Sequence, residues 1–464
     1  MIERLSAGDM MMIWAQEPGS PMNMNIGMAG VVERRGPVDI ERLRALVSAR
    51  LHRGPMLRRR VQLTRFWQGP PLWVDDQRFD LAQHIELVAL PRGADFLDWA
   101  ATRIAEPLDL HRAPWRLLCV TGLDKGIGLV LALHHTLADG KTAVALADVL
   151  LSATSQEPAE ESVRWRAAPP PSTGHLVRDA AVAKAAALWQ ALREIPNLLA
   201  KLRALRAGLA TTYKTIGPRV PSLPFPVVRD GRRHLATAAW PLVEVERAGH
   251  AFDATVNDVA LTLTTFGVRR LLTASGEPVT GYALRVSVPV AAAPGLRNAG
   301  GSAPMMISLP LDEPDPRRAL ARVTAQTRAA KADRATAPSW RPPMLVMRLM
   351  MSWIRRHGSE RFNLYVTNVP GPTTPLWLDG SRLAAVYPIA PITAGVPLAV
   401  AVLSYAGTLV MTVNAAPELA CLPSFAAGAR EAMTALTRLA LPGGQDRLLQ
   451  GPDFVPAGEW RRPA

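Results

Sequence analysis

The 464-residue sequence predicts an α/β protein built as two domains. Three observations carry that expectation. The chain is long for one core, so two units of roughly 150 to 250 residues each are expected. Short apolar runs alternate with helical patterns, and the same alternation resumes after a Pro-rich stretch. With 48% hydrophobic and 20% charged residues the composition is globular, not disordered. Only Cys119 and Cys421 are present, so no disulfide framework holds the fold and a reducing cytoplasm is expected.

Taken in order, 26–32 reads as a strand, and Asp39 caps a helix with Leu43, Leu46, Val47 and Leu51 on one face. Segments 58–63 and 71–74 read as extended and 94–105 as helical. Pro114-Trp115 precede a strand over 117–121, and a hairpin through Leu123-Asp124-Lys125-Gly126 leads into the continuous apolar run 128–133, an interior strand. Beyond it Ala143, Val144, Leu146, Ala147, Leu150 and Leu151 recur at helical spacing. Pro, Ser, Glu and Ala dominate 157–174, as in a linker. From Asp179 a basic amphipathic helix is expected, with Leu188, Leu192, Ile195, Leu199, Leu202 and Leu205 on one side and a kink at Pro196. Such a helix packs on its own protein as a crossover, the commoner case, or lies on a membrane. The Pro-rich stretch 217–226 closes the linker. The units are then 1–156 and 234–464, with 157–233 between them.

In the second unit the pattern predicts helices over 244–251, 256–272, 316–331 and 344–356 and from Pro423, and strands over 282–289, 305–309 and 363–367. Asn368 to Pro372 reads as a loop, and 398–413 as two strands joined by a turn. The N-terminus carries Glu3 and Asp9 and no long apolar core, so it is not a signal peptide. No run of about 18 uninterrupted apolar residues occurs, which predicts a soluble or peripheral protein.

His134 and His135 end the interior strand at its mouth. If both are extended, their side chains point to opposite faces, so one faces a cavity while the other packs. Asp139 and Gly140 have a simpler explanation as a turn and a helix N-cap, but that leaves two adjacent histidines unexplained. The remaining histidines, such as His84 and His111, are scattered and joined by no Cys or Glu spacing, so no metal site is expected. No Gly-rich nucleotide loop is present.

The formal charge is +14, with clusters at Arg58-Arg59-Arg60, Arg232-Arg233 and Arg355-Arg356. No nucleic-acid module surrounds them, so nucleic acid is not expected as a partner. An anionic membrane or lipid droplet, an acidic substrate such as CoA, or a plain solvated surface each account for the excess.

HHTLADG fits His-His-x-x-x-Asp-Gly, the signature of the CoA-dependent acyltransferase superfamily. With RLSAGD, PLWVDD, FDLAQH, PLDLHRAPW, TVNDVAL, TNVPGP and VLSYAG in order around it, the chain resembles the bacterial wax ester synthase/diacylglycerol acyltransferase family over nearly its full length. The resemblance implies two chloramphenicol acetyltransferase-like domains with an active-site tunnel between them, acyl-CoA entering one side and the alcohol acceptor the other. It implies that His135 is the catalytic base, His134 its companion, and Asp139 and Gly140 the structural end of the motif. Asn257 and Asp258 match the family's Asn-Asp pair, and Asn368, Pro370 and Gly371 its Asn-Val-Pro-Gly loop. Two departures point to the acceptor: Ala113-Pro114-Trp115 stands where the family usually has Pro-Leu-Trp, and Lys141 where it usually has a small or aliphatic residue.

The expected reaction moves a fatty acyl group from acyl-CoA to diacylglycerol or a long-chain alcohol, with acyl-CoA as cosubstrate and no bound cofactor. A thioester is already activated, so a base near its working pH suffices and no serine or cysteine nucleophile is needed. Asn257 is a candidate oxyanion donor with an equal claim to be the N-cap of its helix; Asp258 stabilises that helix start by charge. Alternatives are acylation of a specialised metabolite, and an inactive basic coat on lipid droplets or membrane. The intact histidine pair argues against the coat. The expected location is the cytoplasm, or the periphery of the inner membrane or lipid inclusions.

Overall fold

The computed structural model describes residues 2–16, 23–34, 36–155, 165–193, 203, 206, 208, 217–289, 304–336, 344–392 and 395–440. Among the described residues fourteen strands are β1 (Asn25–Val32), β2 (Arg59–Gln62), β3 (Leu72–Asp75), β4 (Ile85–Ala89), β5 (Trp115–Thr121), β6 (Ile127–His134), β7 (His234–Pro241), β8 (Leu284–Val288), β9 (Met305–Leu309), β10 (Leu364–Pro370), β11 (Trp377–Leu378), β12 (Ser381–Ile389), β13 (Leu398–Tyr405) and β14 (Thr408–Ala415). They form two six-stranded sheets, ordered β11-β12-β1-β6-β5-β4 and β7-β14-β13-β10-β8-β9, and a two-stranded ribbon of β2 and β3.

In the first sheet β6 lies between β1 and β5, antiparallel to both, and all eight of its residues are buried. That is why it reads as an unbroken apolar run and not an alternating one. One face is covered by helices Ile40–Arg50 and Gly140–Leu150, which share a core with Leu129, Leu131 and Leu133. Helix Phe96–Ile104 covers the other face and also meets Leu235 and Val410 of the second sheet. In the second sheet β10 runs parallel to both β13 and β8, and helices 242–251, 256–274, 316–336 and 423–440 build its core.

The two units exchange a strand. Segment 377–389 follows most of the second unit in sequence, yet β12 pairs antiparallel with β1 from Gly27↔Ile389 to Val32↔Leu383, and so completes the first sheet. A second domain running unbroken from 234 to 464 does not accommodate this. Tyr405 holds the exchanged segment: its hydroxyl donates to Leu383 O and accepts from Leu376 N, each at 2.8 Å. Asn414 donates to Ala390 O at 3.0 Å just beyond it.

Asp98, on helix Phe96–Ile104, accepts from Leu235 N at 2.7 Å and pairs with His234 Nδ1 at 2.8 Å, so this helix of the first unit caps the edge strand of the second sheet. Several arginines that read as free positive charge are structural. Arg58 is buried and lies over the Trp165 ring at 4.8 Å. Arg59 pairs with Glu3, and the buried Arg233 donates to the carbonyls of Asp230 and Arg232. Arg355 donates to Trp14 O at 3.0 Å.

The helix expected from Asp179 is described over Thr173–Arg193 and so begins earlier than expected. Its start is anchored by the buried Leu176 and Ala180 and by Asp179 paired with Arg4 at 2.7 Å, while Leu188, Trp189 and Leu192 are exposed. The expected kink at Pro196, and the face from Ile195 to Leu205, lie outside the described residues. Among the described residues no helix is long and apolar enough to cross a membrane.

Candidate active site

The strand, turn and helix expected around the histidines form as read. β6 ends at His134, and Asp139 caps helix Gly140–Leu150 by accepting from Thr142 N at 2.8 Å. The cap satisfies an amide that the first helical turn leaves unpaired. Asp139 therefore has a structural task, whatever charge it adds to the site.

The two histidines have unlike surroundings. His134 is buried, and its backbone N–H donates to Pro114 O at 3.0 Å. Its Nδ1 accepts the Thr136 N–H at 3.2 Å, and the Gln16 side-chain amide closes over Nε2 at 2.6 Å. Burial first, and then the neighbouring His135, hold its pKa down to about 3. A ring so sealed stays neutral and has no open face for a substrate proton.

His135 is half-buried, and its backbone N–H donates to Met24 O at 2.9 Å. Burial lowers its pKa from the ordinary histidine value; a hydrogen bond to its own backbone and the carboxylates of Asp139 and Asp9 oppose that shift.

The two halves of the molecule meet at this turn. A Cβ built on Gly140 falls 2.6 Å from Val369 Cγ2. Glycine at the end of the histidine motif is thus required by close approach of the Asn-Val-Pro-Gly segment. That segment is not the expected loop: Asn368, Val369 and Pro370 continue β10, in parallel register with Val402, Leu403 and Ser404. The chain leaves the sheet at Gly371, whose Cβ position lies 2.3 Å from Ser404 O, closer than any side chain allows. We expect Gly140→Ala to lower stability by about 1 to 3 kcal/mol by overpacking against Val369, and Gly140→Ala/Val369→Ala to recover most of it in urea unfolding. If the single variant unfolds at the wild-type midpoint, the contact between the two motifs is not tight.

The Asn-Asp pair is placed elsewhere. Thr255, not Asn257, is the N-cap of helix Val256–Ala274. Asp258 closes a capping box with Thr255 and accepts from Thr327 Oγ1 at 2.7 Å, so its carboxylate is used within the second unit as helix support. Asn257 is half-buried in the same first turn. Of the second-unit candidates, the segment carrying Asn368, Pro370 and Gly371 reaches the histidine turn, and it does so through Val369.

Three of the four acceptor candidates are not surface residues. Ala113, Pro114 and Trp115 are all buried, and Trp115 lies in the core with Nε1 donating to Leu57 O at 2.7 Å. His84, stacked on Trp115 at 4.7 Å between centroids, donates from Nδ1 to Trp115 O at 2.9 Å. The segment touches the site through its backbone, by the Pro114 carbonyl that receives the His134 N–H. The Lys141 side chain lies outside the described atoms.

Sequence reasoning passed over Asp9 and Gln16. Both belong to helix Ala7–Ala15 or its C-cap; Gln16 contacts His134, and the charge of Asp9 is felt at His135. The pattern Ser6-x-x-Asp9 before an apolar run signals a capping box and so marks the helix; the contact of Gln16 with His134 is a tertiary fact. Among the described residues no group of three or more His, Cys, Asp or Glu converges as a metal site would require.

The two-sheet α/β fold is shared with solved acyltransferase and condensation-domain structures. A wax ester synthase/diacylglycerol acyltransferase of Marinobacter aquaeolei superposes with a TM-score of 0.65 over 94% of this chain and 99% of its own at 20% identity. The starter condensation domain of rhizomide synthetase, solved in complex with C8-CoA, gives 0.58 over 96% of each chain at 16% identity. The wax ester synthase/diacylglycerol acyltransferase catalytic-domain model matches residues 5–260, and the C-terminal-domain model of the same family matches 302–437. Mycobacterium tuberculosis tgs1, described as a probable diacylglycerol O-acyltransferase, is 29% identical over 85% of this chain and 87% of its own length. A second M. tuberculosis protein carrying the diacylglycerol O-acyltransferase name is 30% identical over 78% of this chain and 81% of its own. The chain belongs to the wax ester synthase/diacylglycerol acyltransferase family, and with that family it is an O-acyltransferase.

Proposed function

We propose that the protein transfers a fatty acyl group from acyl-CoA to diacylglycerol or a long-chain alcohol, with His135 as general base. The observation that carries this reading is the placing of His135 at the mouth of β6, half-buried beside the turn where Gly140 meets Val369, where burial holds its pKa below the ordinary histidine value. The acceptor hydroxyl hydrogen-bonds to Nε2 and its oxygen attacks the thioester carbonyl. The proton moves to Nε2 as the C–O bond forms. The tetrahedral intermediate then collapses, the C–S bond breaks, and the imidazolium returns the proton to the CoA sulfur. The products are the ester and free CoA thiol, and the base is regenerated.

Acyl-CoA and acceptor approach from opposite sides of the seam between the units, where helix Gly140–Leu150 faces β10. The exposed Leu188, Trp189 and Leu192 and the basic composition suit a protein that works against an anionic lipid surface, where such acceptors reside.

A second reading, acylation of a more polar metabolite hydroxyl, is favoured by the departures at Ala113-Pro114 and Lys141. Purified protein given radiolabelled palmitoyl-CoA with diacylglycerol, hexadecanol and polar alcohols separates the two. Apolar pockets discriminate weakly, by about 1 to 3 kcal/mol per methylene. The triple variant Ala113→Pro, Pro114→Leu, Lys141→Val is therefore expected to shift product ratios toward triacylglycerol or wax ester without abolishing transfer. Proline at 113 also removes the N–H that donates to Asp76 at 3.3 Å, so folding is checked in parallel. If the wild type makes triacylglycerol efficiently and the folded triple variant has the same acceptor profile, the second reading is dropped.

A further inference from the structure

The ribbon of β2 and β3 turns through Leu63 to Gly69, and the turn carries apolar rings into solvent. Phe66 is 84% exposed and Trp67 42%, packed edge to face at 4.9 Å, with Leu63 exposed beside them. Single exposed apolar side chains need no explanation, but a cluster at one tip marks a contact surface. Helix Thr173–Arg193 runs next to the turn. A Cβ built on Gly69 falls 3.4 Å from Ala180 Cβ, and Arg4 joins the two elements by donating to Pro70 O and to Asp179, each at 2.7 Å. Only the start of this helix is anchored: Leu176 and Ala180 are buried, and the side chains from 181 to 190 are all exposed. Val177, Ala181, Ala185, Leu188 and Leu192 recur at helical spacing and form a stripe along one side, with Val182 and Trp189 at its edge.

The charge on both elements has one sign. Residues 63–70 carry Arg65 and no carboxylate, and the helix carries Arg178, Lys184 and Arg193 against Asp179 alone, which is paired with Arg4. In each element a guanidinium lies over an exposed indole, Arg65 on Trp67 at 5.3 Å and Arg193 on Trp189 at 4.9 Å. The core of a protein interface is depleted of charge, whereas aromatic rings and apolar stems with cationic heads beside them suit the level of phospholipid headgroups. We infer that the turn 63–69 and helix Thr173–Arg193 form one docking surface for an anionic phospholipid membrane. The inference rests on the lipid-acceptor reading above for its choice of partner. The surface is also built on the element that borders the site: Leu5 N donates to Pro71 O at 2.8 Å, and helix Ala7–Ala15 runs from there to Gln16 over His134. Docking therefore holds the membrane against the same N-terminal segment that reaches the histidines.

Binding of the full chain is measured by sedimentation with vesicles of phosphatidylcholine alone and of phosphatidylcholine with phosphatidylglycerol. The wild type is expected to bind the anionic vesicles and to be released by raised salt, which screens exposed charge. Phe66→Ser/Trp67→Ser should lower the partition coefficient about tenfold, and Leu188→Ser/Trp189→Ser by a similar factor. Arg65→Glu/Arg193→Glu should weaken binding to anionic vesicles and leave binding to phosphatidylcholine unchanged. Urea midpoints are measured alongside; should one double variant be unstable, the others carry the test. The inference is overturned if the wild type does not bind, or if both serine variants bind as the wild type does. It is also overturned if the wild type is a dimer that these variants dissociate, because the surface then belongs to a second copy of the chain.

Turnover separates this inference from the reading beneath it. Transfer from octanoyl-CoA is assayed with diacylglycerol carried in anionic vesicles and with hexanol in free solution. Phe66→Ser/Trp67→Ser is expected to slow at least about fivefold on vesicles and to keep the wild-type rate on hexanol. An equal loss on both acceptors places the turn in the reaction and overturns the docking role. If the wild type acylates vesicle-borne diacylglycerol and the variant matches it, the docking surface alone is misassigned. If the wild type binds vesicles through these residues and acylates neither acceptor, the acceptor reading is wrong and the docking surface stands on its binding.

Discussion

His135→Ala is expected to give a folded protein that transfers acyl groups about 100 to 10,000 times more slowly, the range for a positioned general base. The fold survives because the side chain is half-buried at a strand mouth, and what ties this residue to the structure is its main chain, through the bond to Met24 O. The loss should fall on kcat and kcat/KM alike, since the proton is accepted only as the C–O bond forms. His134→Ala should behave in the opposite way. It empties a buried position and leaves the Thr136 N–H and the Gln16 amide without their partner, so it lowers stability first and turnover second. Single-turnover acyl transfer with urea unfolding on the same samples distinguishes the two. A folded His135→Ala enzyme within a few-fold of the wild-type rate would remove His135 from the mechanism. A folded His134→Ala enzyme slower than His135→Ala would exchange their roles.

What the sequence disclosed of this site was local. The apolar run into His134, the turn and the Asp139 cap are decided within about twenty residues by hydrophobic period and cap chemistry, and they stand as read. The strand exchange is decided between residues distant in the chain. Nothing in 381–389 distinguishes a strand that joins β1 from one that joins β13, so the division of the chain read too simply. Asn368-Val369-Pro370 misled because Pro and Gly usually punctuate loops. Here proline ends a strand, paired with Ser404, and Gly371 makes the exit. Asn257 lost the N-cap to Thr255 because a capping box needs its acid three residues on, and Asp258 supplies it only for Thr255. Trp115 drew attention as an acceptor-site residue and is a core residue, its indole N–H bonded to Leu57 O. Arg58 and Arg233 counted as surface charge by composition and are buried by the fold.

Acid destabilisation is the other large effect expected. Three histidines, His84, His134 and His135, are each held below the ordinary histidine pKa, first of all by burial. The sign follows from linkage: a group that is neutral when folded but protonates near pH 6.5 when unfolded adds stability that is complete above that pH and is lost as pH falls toward the folded value. For His134, whose folded value is about 3, the loss extends through the whole interval from 6.5 downward. Its slope approaches about 1.4 kcal/mol per pH unit, or about 2 to 3 kcal/mol between pH 6 and pH 4. His234 works on the other side. Its hydrogen bond to Asp98 raises its pKa, so its contribution is complete below 6.5 and disappears as pH rises through the folded value. Urea midpoints measured from pH 4 to 9 should therefore fall steeply on the acid side and gently on the alkaline side. His134→Gln should flatten the acid limb, and His234→Gln the alkaline one. The slope is diagnostic even where a variant is less stable throughout, because carboxylate titrations are common to both proteins and cancel in the difference. A His134→Gln curve parallel to wild type between pH 4 and 6 would mean that His134 is not held neutral, and the assignment of the buried, silent histidine to that position would have to be given up.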